Sequence, residues 1–157
     1  MENEKNKLDE NGLRTGEWVE YYDNGQIRYK GYFFEGKREG EWVLYHNNGK
    51  LFSKGFYVEG KQTGEWEFYY EDGQLWYKGS FSEGKKTGEF VYYYENGQIK
   101  STNNYLFNYE IKVDGDMIVV GCKKHTKAYW LANWKEIAEQ EDVSEEVAES
   151  IYKELTK

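Results

Sequence analysis

A Gly-Glu-aromatic triplet recurs four times in this chain at a constant interval of 24 residues, as Gly16-Glu17-Trp18, Gly40-Glu41-Trp42, Gly64-Glu65-Trp66 and Gly88-Glu89-Phe90. Glycines at three other points keep step: Gly12, Gly36, Gly60 and Gly84; Gly25, Gly49, Gly73 and Gly97; Gly31, Gly55 and Gly79. A fixed period of this length means that one supersecondary unit is copied and stacked, each copy burying its apolar face on its neighbours.

Within the unit, Trp18-Val19-Glu20-Tyr21-Tyr22 reads as a strand, Asn24-Gly25 as a turn and Ile27 to Phe34 as the return strand. Asn-Gly between β-rich runs is a strong hairpin signal, because both central residues of a type I′ turn need positive φ. Asn48-Gly49, Asp72-Gly73 and Asn96-Gly97 are its equivalents, and loops such as Glu35 to Gly40, bracketed by glycine, pass the chain to the next hairpin. A mean hydropathy of −1.01 alone would fit disorder, but an aromatic share of 19% supplies enough ring area for a core built from aromatics. The absence of proline suits unbroken strand ladders.

A two-residue turn fixes the register: Tyr22 faces Ile27, Glu20 faces Tyr29 and Trp18 faces Gly31. Trp42 then stands opposite Gly55 and Trp66 opposite Gly79, so an indole covers a strand glycine in each unit. In the fourth unit Phe90 faces Asn103, a paired departure that marks the end of the array. A three-residue turn with a bulge at Gly25 would instead set Trp18 against Lys30 and lose this pattern, so the first register is preferred. By strand alternation one face carries Trp18, Tyr22, Ile27, Tyr29 and Phe33 with their equivalents and is the more buried. The other carries Val19, Tyr21 and Lys30, then Val43, Tyr45 and Lys54, and is half exposed.

Residues 1–12 read as a lead-in or partial repeat in which Leu8 forms a weak edge strand, and residues 13–106 as four hairpin repeats. Residues 107–157 read as an extra hairpin plus a helical cap. That hairpin is Tyr109 to Val113 and Met117 to Val120 around an Asp114-Gly115 turn. After Cys122 the spacing becomes helical, with Trp130, Leu131, Trp134, Ile137 and Ala138 on one face. A second helix is expected from the N-cap Ser144 through Val147, Ala148, Ile151, Tyr152 and Leu155. The fold class is therefore mainly β: an elongated single-layer antiparallel meander of 24-residue β-hairpin repeats, with two short C-terminal helices capping the last strands.

The unit Gly-Glu-Trp-x-x-Tyr-Tyr-x-Asn-Gly-Gln-Ile/Leu, followed by Lys-Gly-x-Phe and x-Gly-Lys, resembles the bacterial variant of the MORN (membrane occupation and recognition nexus) repeat over about residues 12–106. The resemblance implies a twisted single-layer sheet of successive hairpins. It also implies a functional class, since bacterial proteins with this variant are often grouped as antitoxin or immunity partners in toxin–antitoxin systems. Others are surface or secreted proteins, and eukaryotic MORN proteins are linked to membrane lipids and protein scaffolding.

Searching the residues for chemistry returns no catalytic set. Glu17, Glu41, Glu65 and Glu89 sit beside aromatic residues, yet catalysis needs one asymmetric constellation and these are copied in every repeat. His46 stands where Tyr22, Tyr70 and Tyr94 stand in other units and reads as a packing substitute, without a second ligand at metal spacing. Cys122, the single cysteine, excludes an intramolecular disulfide framework and reads as a small buried residue. No phosphate-cradling, nucleophile-elbow or CxxC motif is present, so no enzyme activity, cofactor or metal is expected.

Binding is the better reading. On the half-exposed face Tyr21, Tyr45, Tyr69 and Tyr93 form a ladder with one ring per period, and beside them Phe52 and Trp76 place rings where the outer repeats place Arg28 and Lys100. Exposed aromatics of this kind anchor protein interfaces, so these six residues are the candidate contacts to a protein partner. Lys30, Lys54 and Lys78 between them would also suit single-stranded nucleic acid, but a formal net charge of −8 disfavours both nucleic acid and peripheral contact with anionic membranes. Self-association as a scaffold and binding of carbohydrate or cell envelope are the alternatives. With neither a leader-like start nor an 18-residue apolar run, the chain reads as cytoplasmic; one from which a leader had been cut would be secreted or surface-attached.

Overall fold

The computed structural model describes residues 5–106, 109–120, 123–140 and 152. It is one antiparallel meander in which each strand pairs with the next along the chain, in the order β1 to β12. The short β1 (Lys7–Leu8) leads into four long hairpins: β2 (Arg14–Tyr21) with β3 (Ile27–Phe34), β4 (Lys37–Tyr45) with β5 (Leu51–Val58), β6 (Lys61–Tyr69) with β7 (Leu75–Ser82), and β8 (Lys85–Tyr93) with β9 (Ile99–Leu106). Three further strands, β10 (Tyr109–Asp114), β11 (Met117–Val120) and β12 (Lys123–Thr126), and the helix α1 (Lys127–Gln140) follow.

The expected pairings Trp18–Gly31, Trp42–Gly55, Trp66–Gly79 and Phe90–Asn103 are all present. The turns that lead to them differ from expectation. The Asn-Gly turn has three residues: the Gly25 N–H donates to the Tyr22 carbonyl, the Tyr22 N–H donates to the Gln26 carbonyl, and within the turn only Gly25 has positive φ. This is a type I turn closed by a left-handed glycine. Alone it would set Trp18 against Lys30. The return strand corrects it with a bulge, since Tyr21 pairs with Ile27 while Glu20 pairs with Tyr29 and Arg28 is left over. Ile27 accordingly pairs with Tyr21, not Tyr22. The two-residue turns lie elsewhere, at Glu35-Gly36, Glu59-Gly60 and Glu83-Gly84, where both residues have positive φ and the hairpins join directly. The expected Glu35 to Gly40 loop is therefore mostly strand.

The Gly-Glu-Trp triplet is itself a bulge. Lys30 pairs with Val43 and Tyr32 with Glu39, so Gly31 alone is opposed by Gly40, Glu41 and Trp42. Gly40 takes φ of 69° to make this bend. The bend carries the Trp42 indole over Gly31 of the preceding repeat, where its N–H donates to the Tyr32 carbonyl at 3.2 Å. Trp66 repeats both features on Gly55 and the Phe56 carbonyl. Trp42 and Trp66 thus pair in register with the glycine of their own hairpin but rest on that of the previous one, and Phe90 rests likewise on Gly79.

The result is a continuous edge-to-face row: Trp18, Phe33, Trp42, Tyr57, Trp66, Phe81, Phe90 and Tyr105, successive centroids 5.0–6.3 Å apart. Trp42, Trp66 and Phe90 are fully buried in it. Each such ring pair adds about 0.5–1.5 kcal/mol beyond area burial, and all of them span strands, so stability lies between neighbouring strands and repeats. Asn103 occupies the glycine position at the end of the array and leaves no bed for another ring.

At the chain start Leu8 pairs with Arg14, as an edge strand. Asn6 extends that edge with its side chain, accepting from the Val19 N–H at 2.7 Å and donating to the Val19 carbonyl at 2.8 Å. At the other end Asp114 pairs with Met117, so the turn is Gly115-Asp116, one residue later than expected. Strand β12 was not expected. The first expected helix is α1, whose buried Trp130 donates its indole N–H to the Ile118 carbonyl at 2.8 Å. The second expected helix lies outside the described residues apart from Tyr152, whose ring is 5.3 Å from Trp134; Cys122 also lies outside them.

Candidate interaction surfaces

The bulge in each hairpin decides where the candidate residues go. Arg28, Phe52, Trp76 and Lys100 are the unpaired bulge residues of the four hairpins. A bulge re-aims its side chain, and here it turns these residues to the ring face. Phe52 lies against His46 (5.0 Å) and Phe68 (6.1 Å), and Trp76 against Tyr70 (5.8 Å) and Tyr77 (4.9 Å). Tyr21, Tyr45, Tyr69 and Tyr93 pair with Ile27, Leu51, Leu75 and Ile99 on the opposite face. The six candidates therefore divide into two on the ring face and four on the back. The assignment of Phe52 and Trp76 to the tyrosine face is corrected, because simple alternation along the strand fails at a bulge.

On the ring face the layer is closed from above by cations. Arg14 lies 4.8 Å from the Trp18 ring, Arg38 4.7 Å from that of Trp42, and Lys86 4.9 Å from that of Phe90. The equivalent in the third repeat is Gln62. Burial, with the neighbouring Tyr92 phenol adding to it, pushes the Tyr77 hydroxyl up to about 12. Along the turns, a second ladder ties repeat to repeat: the Tyr22 hydroxyl donates to the Tyr45 carbonyl (2.8 Å) and the Tyr70 hydroxyl to the Tyr93 carbonyl (2.9 Å). His46 Nε2 reaches the Tyr69 carbonyl at 2.9 Å, which requires the Nε2–H form. His46 thus substitutes for tyrosine in a hydrogen bond as well as in packing. Above this ladder Trp76 is 39% exposed, a large ring that the buried row does not need.

The back face has stripes running along the array. One row is apolar, made of the Tyr–Ile/Leu pairs above. The next holds Val19, Lys30, Val43, Lys54, Glu67 and Lys78. Glu67 accepts from Lys54 at 2.8 Å and from the Tyr69 hydroxyl at 2.8 Å, and the Lys54 bond holds its carboxyl below the usual range. The third row sets Glu17 against Tyr32, Glu41 against Phe56 and Glu65 against Ser80 within their hairpins, and Tyr32 against Glu39 between them. The outermost pairs Phe34 with Lys37, Val58 with Lys61 and Ser82 with Lys85. Tyr32, Phe34, Phe56 and Val58 are each about half exposed. Sequence reading missed this patch; its signal was the series Phe34, Val58, Ser82, apolar in two repeats only.

The sequence pattern of the MORN repeat variant matches residues 14–35, 38–59, 62–83 and 86–106, one match per long hairpin. The chain belongs to the MORN repeat variant family. MORN repeats are in general non-catalytic modules that bind proteins or membranes. The chain matches no curated protein. No helix among the described residues is long and apolar enough to cross a membrane, and no group of three or more His, Cys, Asp or Glu among them is placed to hold a metal ion.

Proposed function

We propose that this MORN repeat protein is a non-enzymatic protein-binding module of the antitoxin or immunity kind, which holds its partner on the ring face around Trp76. The observation that carries this is the bulge position. Outer repeats use it for Arg28 and Lys100, whereas the central pair uses it for Phe52 and Trp76, and Trp76 keeps 39% of its surface exposed. A half-exposed indole flanked by Tyr70 and Tyr77 has the character of an interface anchor. The net charge of −8 supports a partner whose contact site is basic, because opposite charge speeds encounter.

The test is a tagged pull-down from a native cell extract with Trp76→Ala and Tyr21→Ala as paired controls. One stoichiometric partner, lost with Trp76→Ala and kept with Tyr21→Ala, is the expected result. A partner indifferent to Trp76 would overturn the surface, and recovery of no partner would overturn the module reading itself.

A further inference from the structure

The back face carries an arrangement that the ring face does not: adjacent rows of opposite charge running along the array. Lys30 stands between Val19 and Val43 on its own row, without a carboxylate opposite. On the next row Glu17 pairs with Tyr32, and Glu41 stands beside them in the bulge opposite Gly31. Among the described residues none of these three charges is in an ion pair. Together with Lys5, Val19, Tyr32 and Val43 they line a groove of about 420 Å³. On one side of the groove lie exposed Tyr21 and the other Tyr–Ile/Leu pairs, and on the other side Phe34 and Val58.

We infer that this face binds a second copy of the chain, back to back, about a two-fold axis that runs along the array between the lysine row and the glutamate row. Symmetry selects this arrangement. Rotation about that axis lays lysine row on glutamate row and the Tyr–Ile/Leu row on the row of Phe34 and Val58. An axis parallel to the strands would lay lysine on lysine and glutamate on glutamate, which like-charge repulsion opposes. In the selected arrangement Lys30 of each copy meets Tyr32 of the other beside its Glu17 and Glu41. The strands of the two sheets stay aligned, as face-to-face sheets prefer, about 10 Å apart. The match weakens beyond Lys30, because Glu67 already holds Lys54 of the second repeat and Ser80 and Ser82 replace the apolar residues in the third. Contact is thus centred on the first two repeats.

The surface lies opposite that proposed for the partner, so each can fail without the other. The test is solution mass by light scattering and sedimentation for the full chain, for Lys30→Glu and for Glu17→Lys/Glu41→Lys, with circular dichroism confirming that each is folded. The unaltered chain should be dimeric, and each variant alone monomeric at the same concentration. Mixing the two variants should restore dimer mass, because the new carboxylate at position 30 of one copy then faces the new ammonium groups at positions 17 and 41 of the other. A concentration-independent monomer for the unaltered chain would overturn the proposal. A dimer that survives both reversals, or a mixture that stays monomeric, would equally overturn this geometry. Should a charge variant fail to fold, Phe34→Ser/Val58→Ser, which copies the third repeat, provides the same reading through loss of dimer mass.

Discussion

The indole of Trp66 lies so close over Gly55, in the hairpin before its own, that a Cβ on Gly55 would stand 2.3 Å from the ring. The glycine is where one repeat receives the next. Gly55→Ala should therefore destabilise the array by about 3 kcal/mol, the upper end of the cost of overpacking a filled site. Gly25→Ala, where nothing lies within 4 Å, should cost only the strain of positive φ, about 1–2 kcal/mol. Urea unfolding of both variants measures the difference; equal costs would mean that the ring does not need the glycine bed.

Trp66→Phe copies the fourth repeat and keeps a ring on Gly55 while deleting the donor to the Phe56 carbonyl. The expected loss is about 1–2 kcal/mol, that of one hydrogen bond and a little packing. Trp66→Ala should cost about 3–5 kcal/mol. Denaturation midpoints of the two, compared on one scale, separate the hydrogen bond from the ring.

Tyr77 gives the array an alkaline limit. Its folded value of about 12 lies above the ordinary 10.0, so the folded state holds the proton more tightly than the unfolded state does. This contribution is complete below about pH 10 and is lost as pH rises towards about 12. Burial also raises Tyr29, Tyr69 and Tyr105. Stability measured against pH should fall across this window, and less steeply in Tyr77→Phe.

Asn6→Ala removes both side-chain bonds to the Val19 backbone at the edge of β2. The Val19 amide should then exchange with solvent much faster, while the Trp42 region keeps its protection. Amide exchange followed residue by residue checks this, and unchanged protection at Val19 would show that β1 alone holds the edge.

His46→Tyr should leave stability within about 0.5 kcal/mol, since a phenol hydroxyl serves the same rung in two other repeats. His46→Leu should cost about 0.5–1.5 kcal/mol for the lost bond to the Tyr69 carbonyl. Thermal unfolding of the pair distinguishes a structural rung from a position where histidine itself is required.

The sequence by itself determined the 24-residue hairpin, the meander and the Trp–Gly pairings, because a repeated pattern averages out local ambiguity and the alternative register sets each indole against lysine instead of glycine. It also showed helix α1, though not the strand β12 that separates it from Cys122, since spacing alone distinguishes period 3.6 from period 2. What only the tertiary structure decided was the face of each candidate residue. The three-residue turn displaces the register by one, and the bulges at Arg28, Phe52, Trp76 and Lys100 restore it. A bulge leaves no mark on alternation until the strand is paired. That is why Phe52 and Trp76 proved to lie with the rings, across the sheet from Tyr21, Tyr45, Tyr69 and Tyr93. The bed of each indole was equally hidden: pairing names the glycine opposite, whereas the twist at Gly40 and its equivalents carries the ring one strand back.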